Sequence, residues 1–108
     1  MDEVPNLDYI CKLSAGDGTV KNKLINILKE EFPQDVINYH RKINNHELIE
    51  ASQNVHKIKH KIMILGLVED YNLSIKHELS LKENNIFFKE DFEIILKKIS
   101  DYIIKIQE

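Results

Sequence analysis

Apolar residues recur every three or four positions along almost the whole chain, and no strand-length run alternates between apolar and polar. That spacing predicts helices throughout and no β-strand. A loose tail, Met1–Asn6, should lead into a short helix over Leu7–Ala15 with Tyr9, Ile10 and Leu13 turned inward. Gly16-Asp17-Gly18 breaks that helix, and Asp17 is placed to cap the next. Val20, Leu24, Ile27, Phe32, Val36, Tyr39 and Ile43 then form one long stripe with Pro33 inside it. An interior proline costs a helix about 3 kcal/mol. The stripe nevertheless resumes beyond it in compatible phase, which favours one kinked helix over two. Asn44-Asn45 should open a third helix ending near Leu65, and a fourth should run from Val68 or Glu69 to Glu83 with Tyr71, Ile75 and Leu79 inward. After a turn at Asn84-Asn85, Phe88, Phe92, Ile95, Leu96, Ile99, Ile103 and Ile106 mark the last helix. Four long amphipathic segments on short loops, with a short extra N-terminal helix, predict an all-α protein: an antiparallel up-down-up-down four-helix bundle.

The third helix differs from the others in having two patterned faces. Leu48, Ala51, Val55, Ile58, Ile62 and Leu65 make the core stripe. A second stripe, about 130° away, carries Ile49, Ser52, His56, His60 and Met63, with Lys59 on its core-side edge. A solvated face would be uniformly polar. This one sets a histidine among apolar residues with lysines nearby, as expected of a group that meets both a charge and a protein partner.

At His56, Ile58, Lys59, Leu65 and Gly66 the chain resembles the histidine-containing phosphotransfer (HPt) domains of multistep two-component relays. The family motif is a histidine, an aliphatic two residues on, a lysine at plus three, usually a glycine at plus four, and an aliphatic-glycine pair at plus nine and ten. His60 stands where the glycine is usual, and Lys61 where a small hydroxylated residue is common. The likeness in helical layout extends over nearly the whole chain. It implies that His56 accepts a phosphoryl group from a receiver-domain aspartate and returns it to another. It also implies that the partner is a response regulator or the receiver of a hybrid histidine kinase, and that any Mg2+ belongs to that partner.

Chemistry read from the residues agrees with such a role. A neutral imidazole, with an unperturbed pKa near 6.5, is a competent nucleophile at physiological pH without prior loss of a proton. The phosphoimidazole it forms has a good leaving group, and phosphoryl transfer is chiefly positioning and charge stabilisation. Lys59, one turn beyond His56, is placed to meet a phosphoryl charge, whereas Lys57 and Lys61 point elsewhere and raise the local positive charge for an acidic partner. Ile49, Ser52, His60, Met63 and Ile64 form the expected docking surface. Gly66 suits either a close helix packing or a helix terminus.

The 108 residues suffice for one domain with one core. Fifteen basic and 18 acidic side chains leave a net charge of −3, which gives no general attraction to nucleic acid or to an anionic membrane. No apolar run approaches the roughly 20 residues of a membrane span. Met1-Asp2-Glu3 does not begin a signal peptide, and a single cysteine, Cys11, cannot form an internal disulfide, so the chain reads as a cytoplasmic monomer. Gly16-Asp17-Gly18 is not a phosphate loop, because no strand precedes it and no Gly-Lys-Ser/Thr follows. Without a nucleotide motif, no autokinase activity is expected, and the chain is a relay intermediate more than an enzyme. His56 and His60 have the i, i+4 spacing of two zinc ligands, but no His-Glu-x-x-His pattern or cysteine pair accompanies them, so neither metal nor cofactor is expected. Glu30-Glu31 and Glu90-Asp91 read as solvated faces. The rival reading is a helical adaptor, a degenerate phosphotransfer domain in which His60 and Lys61 obstruct transfer but leave binding intact.

Overall fold

A computed structural model describes residues 3–106 and is all-α. Helix α1 spans Asp8–Ser14, α2 Gly18–Asn44, α3 Leu48–Ile64, α4 Val68–Lys82 and α5 Lys89–Lys105. Helix α3 packs against α2 on one side and α4 on the other, α5 bridges α2 and α4, and α1 lies on α2. One apolar core, with Ile25, Phe32, Tyr39, Val55, Ile58, Ile62, Phe92, Ile95 and Ile99 at its centre, runs through them.

The termini show why the helices stop where they do. Asp17 Oδ1 accepts from the backbone N–H groups of Thr19 and Val20 at 2.9 and 3.3 Å, the cap expected of it. Helix α2 continues unbroken through Pro33, as one helix. It also reaches Asn44, and the turn to α3 is made by the left-handed His46, φ 56°; α3 therefore starts at Leu48, three residues later than the Asn45 start predicted. At the other end of α3, Leu67 N–H bonds to Ile62 C=O and Gly66 N–H to Met63 C=O, with Gly66 at φ 79°. This paired closure needs a left-handed residue, which glycine adopts without a Cβ penalty.

The core stripe of α3 is buried as predicted, from Leu48 to Leu65. Three other faces differ. In α1, Ile10 and Ser14 are buried while Tyr9 and Leu13 are exposed. In α2, the first turns bury Ile25 and Leu28, leaving Val20 and Ile27 partly in solvent. Helix α4 departs most. Leu79 is 55% exposed, and the inward positions are Asp70, Ser74, His77, Glu78 and Leu81. Asp70-Ser74-Glu78 lies one residue, about 100°, from the predicted Tyr71-Ile75-Leu79 stripe.

Each of these side chains meets a partner in the fold, although Asp70 Oδ1 and His77 Nδ1 are buried without a hydrogen bond. Asp70 is paired with Lys98 of α5, and Ser74 Oγ donates to Asp70 C=O at 2.8 Å. His77 Nε2 lies 2.6 Å from the Tyr39 hydroxyl of α2, with the Phe92 ring against both. Burial pulls His77 down to about 4. Burial, joined by the charge of Glu93, holds Tyr39 well above the usual phenol value.

The expected tail is docked over residues 3–6, while Met1 and Asp2 lie outside the described residues. Pro5 is buried, and Asn6 N–H donates to Leu65 C=O at 3.0 Å. The Glu3 carboxylate accepts from the N–H groups of Glu69 and Asp70, supplying an N-terminal cap to α4 that α4's own residues do not.

Candidate functional site

Helices α3 and α4 meet along their length, and the meeting places His56 opposite Glu78. The His56 side chain is 55% exposed, as a residue on the second stripe of α3 should be. Its Nδ1 lies 3.2 Å from Glu78 Oε2. The other oxygen, Oε1, accepts from Lys59 Nζ at 2.9 Å. Lys82, one turn beyond Glu78 on α4, brings its Nζ to 3.5 Å from Oε2. Glu78 is only 10% exposed and Lys59 only 12%. Burial alone would raise the Glu78 carboxyl; the hydrogen bonds and charges of Lys59 and then His56 outweigh it and hold Glu78 below the usual carboxylate value. An ionised carboxylate therefore sits behind the imidazole, held by cations from both helices.

Sequence reasoning missed Glu78 and Lys82. Neither belongs to a local motif, and their places at the site arise from α4 facing α3, with Glu78 22 positions beyond His56. The available signal was the four-residue spacing of Asp70, Ser74, Glu78 and Lys82, a polar row in a helix with a weak apolar face.

Lys59 lies on the same side of α3 as His56, but its ammonium is engaged with Glu78 and stands 6.0 Å from the Tyr71 ring centre. Lys61 is not a free surface charge. It is buried and paired with Asp35 at 2.6 Å and Glu31 at 3.1 Å, both on α2; Lys57 adds a 3.6 Å contact to Asp35. Those ion pairs explain why a long cationic residue stands at that position: it ties α3 to α2.

The expected docking surface divides around His56. On the α4 side, Ile49, Ser52, Gln53, His56, Glu78 and Lys82 line a cleft of about 320 Å³. Ser52 is 1% exposed and its hydroxyl turns back to Ile49 C=O at 2.6 Å, so it closes the cleft floor and presents no outer surface. On the α2 side, His60 and Ile64 join Leu24, Ile27 and Leu28 around a more apolar groove of about 300 Å³, with Lys57, Lys61 and Glu31 at its edge. Ile49 and Met63 are exposed. The His60 ring stands edge-on to His56, centres 5.0 Å apart. Among the described residues, no third ligand joins these two histidines in a metal-binding group.

Gly66 lies away from this constellation. What comes closest to it is the Asn6 side chain of the docked N-terminal segment, 2.7 Å from where a Cβ would stand. Among the described residues, no helix is long and apolar enough to cross a membrane. Compared with protein-family models, with curated proteins and with solved structures, the chain matches none.

Proposed function

We propose that this chain is an HPt-like phosphorelay intermediate that carries a phosphoryl group on His56. The observation that carries this reading is the pairing of a half-exposed imidazole with a buried, cation-held carboxylate: His56 Nδ1 against Glu78 Oε2 at 3.2 Å. A carboxylate can only accept, so Nδ1 carries the proton and Nε2 keeps its lone pair for attack. In the proposed step Nε2 attacks the phosphorus of a receiver's aspartyl phosphate. The N–P bond forms, the acyl O–P bond breaks, and the aspartate leaves as a carboxylate. The imidazole ring then carries positive charge on its Nδ1 side, where Glu78 offsets it. Return of the phosphoryl group to a second receiver reverses these bond changes.

The packing of α3 between α2 and α4, with α5 spanning the same pair, supports reading α2–α5 as the antiparallel four-helix bundle on which such a histidine would be displayed. The donor would be a response regulator or the receiver of a hybrid kinase. Its docking face would include Ile49, Met63 and the His60–Ile64 groove, which surround His56 with apolar area. Magnesium, where the reaction uses it, would be held by the receiver.

One observation favours the adaptor reading. The His60 ring packed edge-on to His56, centres 5.0 Å apart, crowds the acceptor. Incubation with phosphorylated receiver domains separates the two: acid-labile, base-stable label on the chain supports the relay, and receiver binding without label supports the adaptor.

A further inference from the structure

We infer that Lys82, on α4, is the cation that meets the phosphoryl group at His56, and that Lys59 acts only through Glu78. The inference rests on the phosphotransfer reading and assigns a residue within it. Both lysines touch Glu78, but on unlike terms. Lys59 is 12% exposed, donates to Oε1 at 2.9 Å and does not line the cleft that contains His56. To follow a phosphoryl group it would have to abandon a carboxylate that is itself 10% exposed. Lys82 is 52% exposed, touches Oε2 at 3.5 Å, the outer limit of a hydrogen bond, and lines the cleft with His56. Its four-carbon stem is free to pivot, and Glu78 keeps both His56 and Lys59 when it leaves.

A division of labour follows. Lys59 fixes Glu78, Glu78 fixes the His56 tautomer, and Lys82 is the mobile charge. In the resting protein Lys82 helps to neutralise Glu78. A phosphoryl group on His56 presents three oxygens with more negative charge than the distant edge of one shared carboxylate, and the ammonium moves to them. A lysine suits this exchange because its charge is compact and its stem flexible.

The test uses the full chain and phosphoramidate, a small phosphodonor that needs no docking surface. Nε2 attacks phosphorus, the donor's P–N bond breaks, and ammonia leaves. Labelling of His56 is followed in wild type, Lys82→Ala, Lys82→Arg and Lys59→Met, each checked by thermal unfolding. Lys82→Ala should label roughly a hundredfold more slowly at every pH, the order expected for loss of one charge-stabilising donor, with unchanged unfolding and with recovery in Lys82→Arg. Lys59→Met, acting through Glu78, should instead move the pH midpoint of labelling. Wild-type labelling rates in Lys82→Ala would overturn the role of Lys82 while leaving His56 as acceptor. Absence of label in the wild-type chain, from phosphoramidate and from phosphorylated receivers alike, would overturn the phosphotransfer reading and this assignment with it.

Discussion

His56 Nδ1 and Glu78 Oε2 stand 3.2 Å apart, joining the exposed stripe of α3 to the buried polar row of α4. The contact links local chemistry to tertiary structure, because Glu78 is held in turn by Lys59 from α3 itself. With Lys82, three side chains share this one carboxylate, and the first prediction concerns how the energies of Glu78 and Lys59 couple.

Glu78→Gln and Lys59→Met should each destabilise the fold by about 2–4 kcal/mol, because the first strips the largely buried Lys59 of its carboxylate and the second takes from the largely buried Glu78 its nearest cation. The double variant should lose less than the sum, with a coupling of about 1–3 kcal/mol. Urea unfolding of the four proteins measures it. Additive losses would mean that the 2.9 Å contact carries no energy of its own.

His56→Gln should change stability by less than about 1 kcal/mol, since more than half of this side chain is in solvent and exposed pairs contribute little. It should also abolish acid-labile label. Label persisting at the wild-type level would place the acceptor elsewhere.

Acid should destabilise the protein through His77. Its folded value is pulled down to about 4, whereas the unfolded chain titrates near the ordinary 6.5. Between those values the unfolded state binds more protons, so stability is full above about pH 7 and falls as pH drops toward 4, by about 3 kcal/mol. Glu78 acts lower: with its folded value depressed, its contribution is full above the usual carboxylate value and is lost as pH falls from there through the depressed one. His77→Gln keeps a polar group for Tyr39 and should flatten the upper part of this profile. An unchanged slope from pH 6.5 to 4 in that variant would assign the acid sensitivity to other groups.

Gly66→Ala should cost about 1–2 kcal/mol, the strain of an L-residue in the left-handed region, because its φ is 79°. A further part comes from the Asn6 side chain, 2.7 Å from the new methyl carbon. Adding Asn6→Ala should recover that second part only, as read from melting temperatures. Full recovery would show that the backbone there relaxes freely.

The core face of α3 was legible because Leu48, Ala51, Val55, Ile58, Ile62 and Leu65 are all apolar and the helix buries one continuous stripe. Periodicity reports burial when burial is apolar. The same logic turned α4 by about one residue, since the inward side chains Asp70, Ser74, His77 and Glu78 look like surface groups in isolation. Their burial is tolerable only because Lys98, Tyr39 and Lys59 arrive from other helices. Residues 3–6 looked like a tail for a related reason: the groups they cap, on α4 and at Leu65, are about sixty residues away.

By itself, then, the sequence determined the all-α class, the Asp17 cap, the passage of α2 through Pro33 and the exposed placement of His56, all of which follow from spacing and local backbone preference. Tertiary structure alone decided that Glu78 stands behind His56, that Lys59 is held by it, that Lys61 is tied to Asp35 and that Lys82 is the cation left in the open cleft. Those are pairings between charges on different helices. A charged residue in a sequence carries no mark of its partner, because Coulomb attraction acts through the distance and burial that only packing creates.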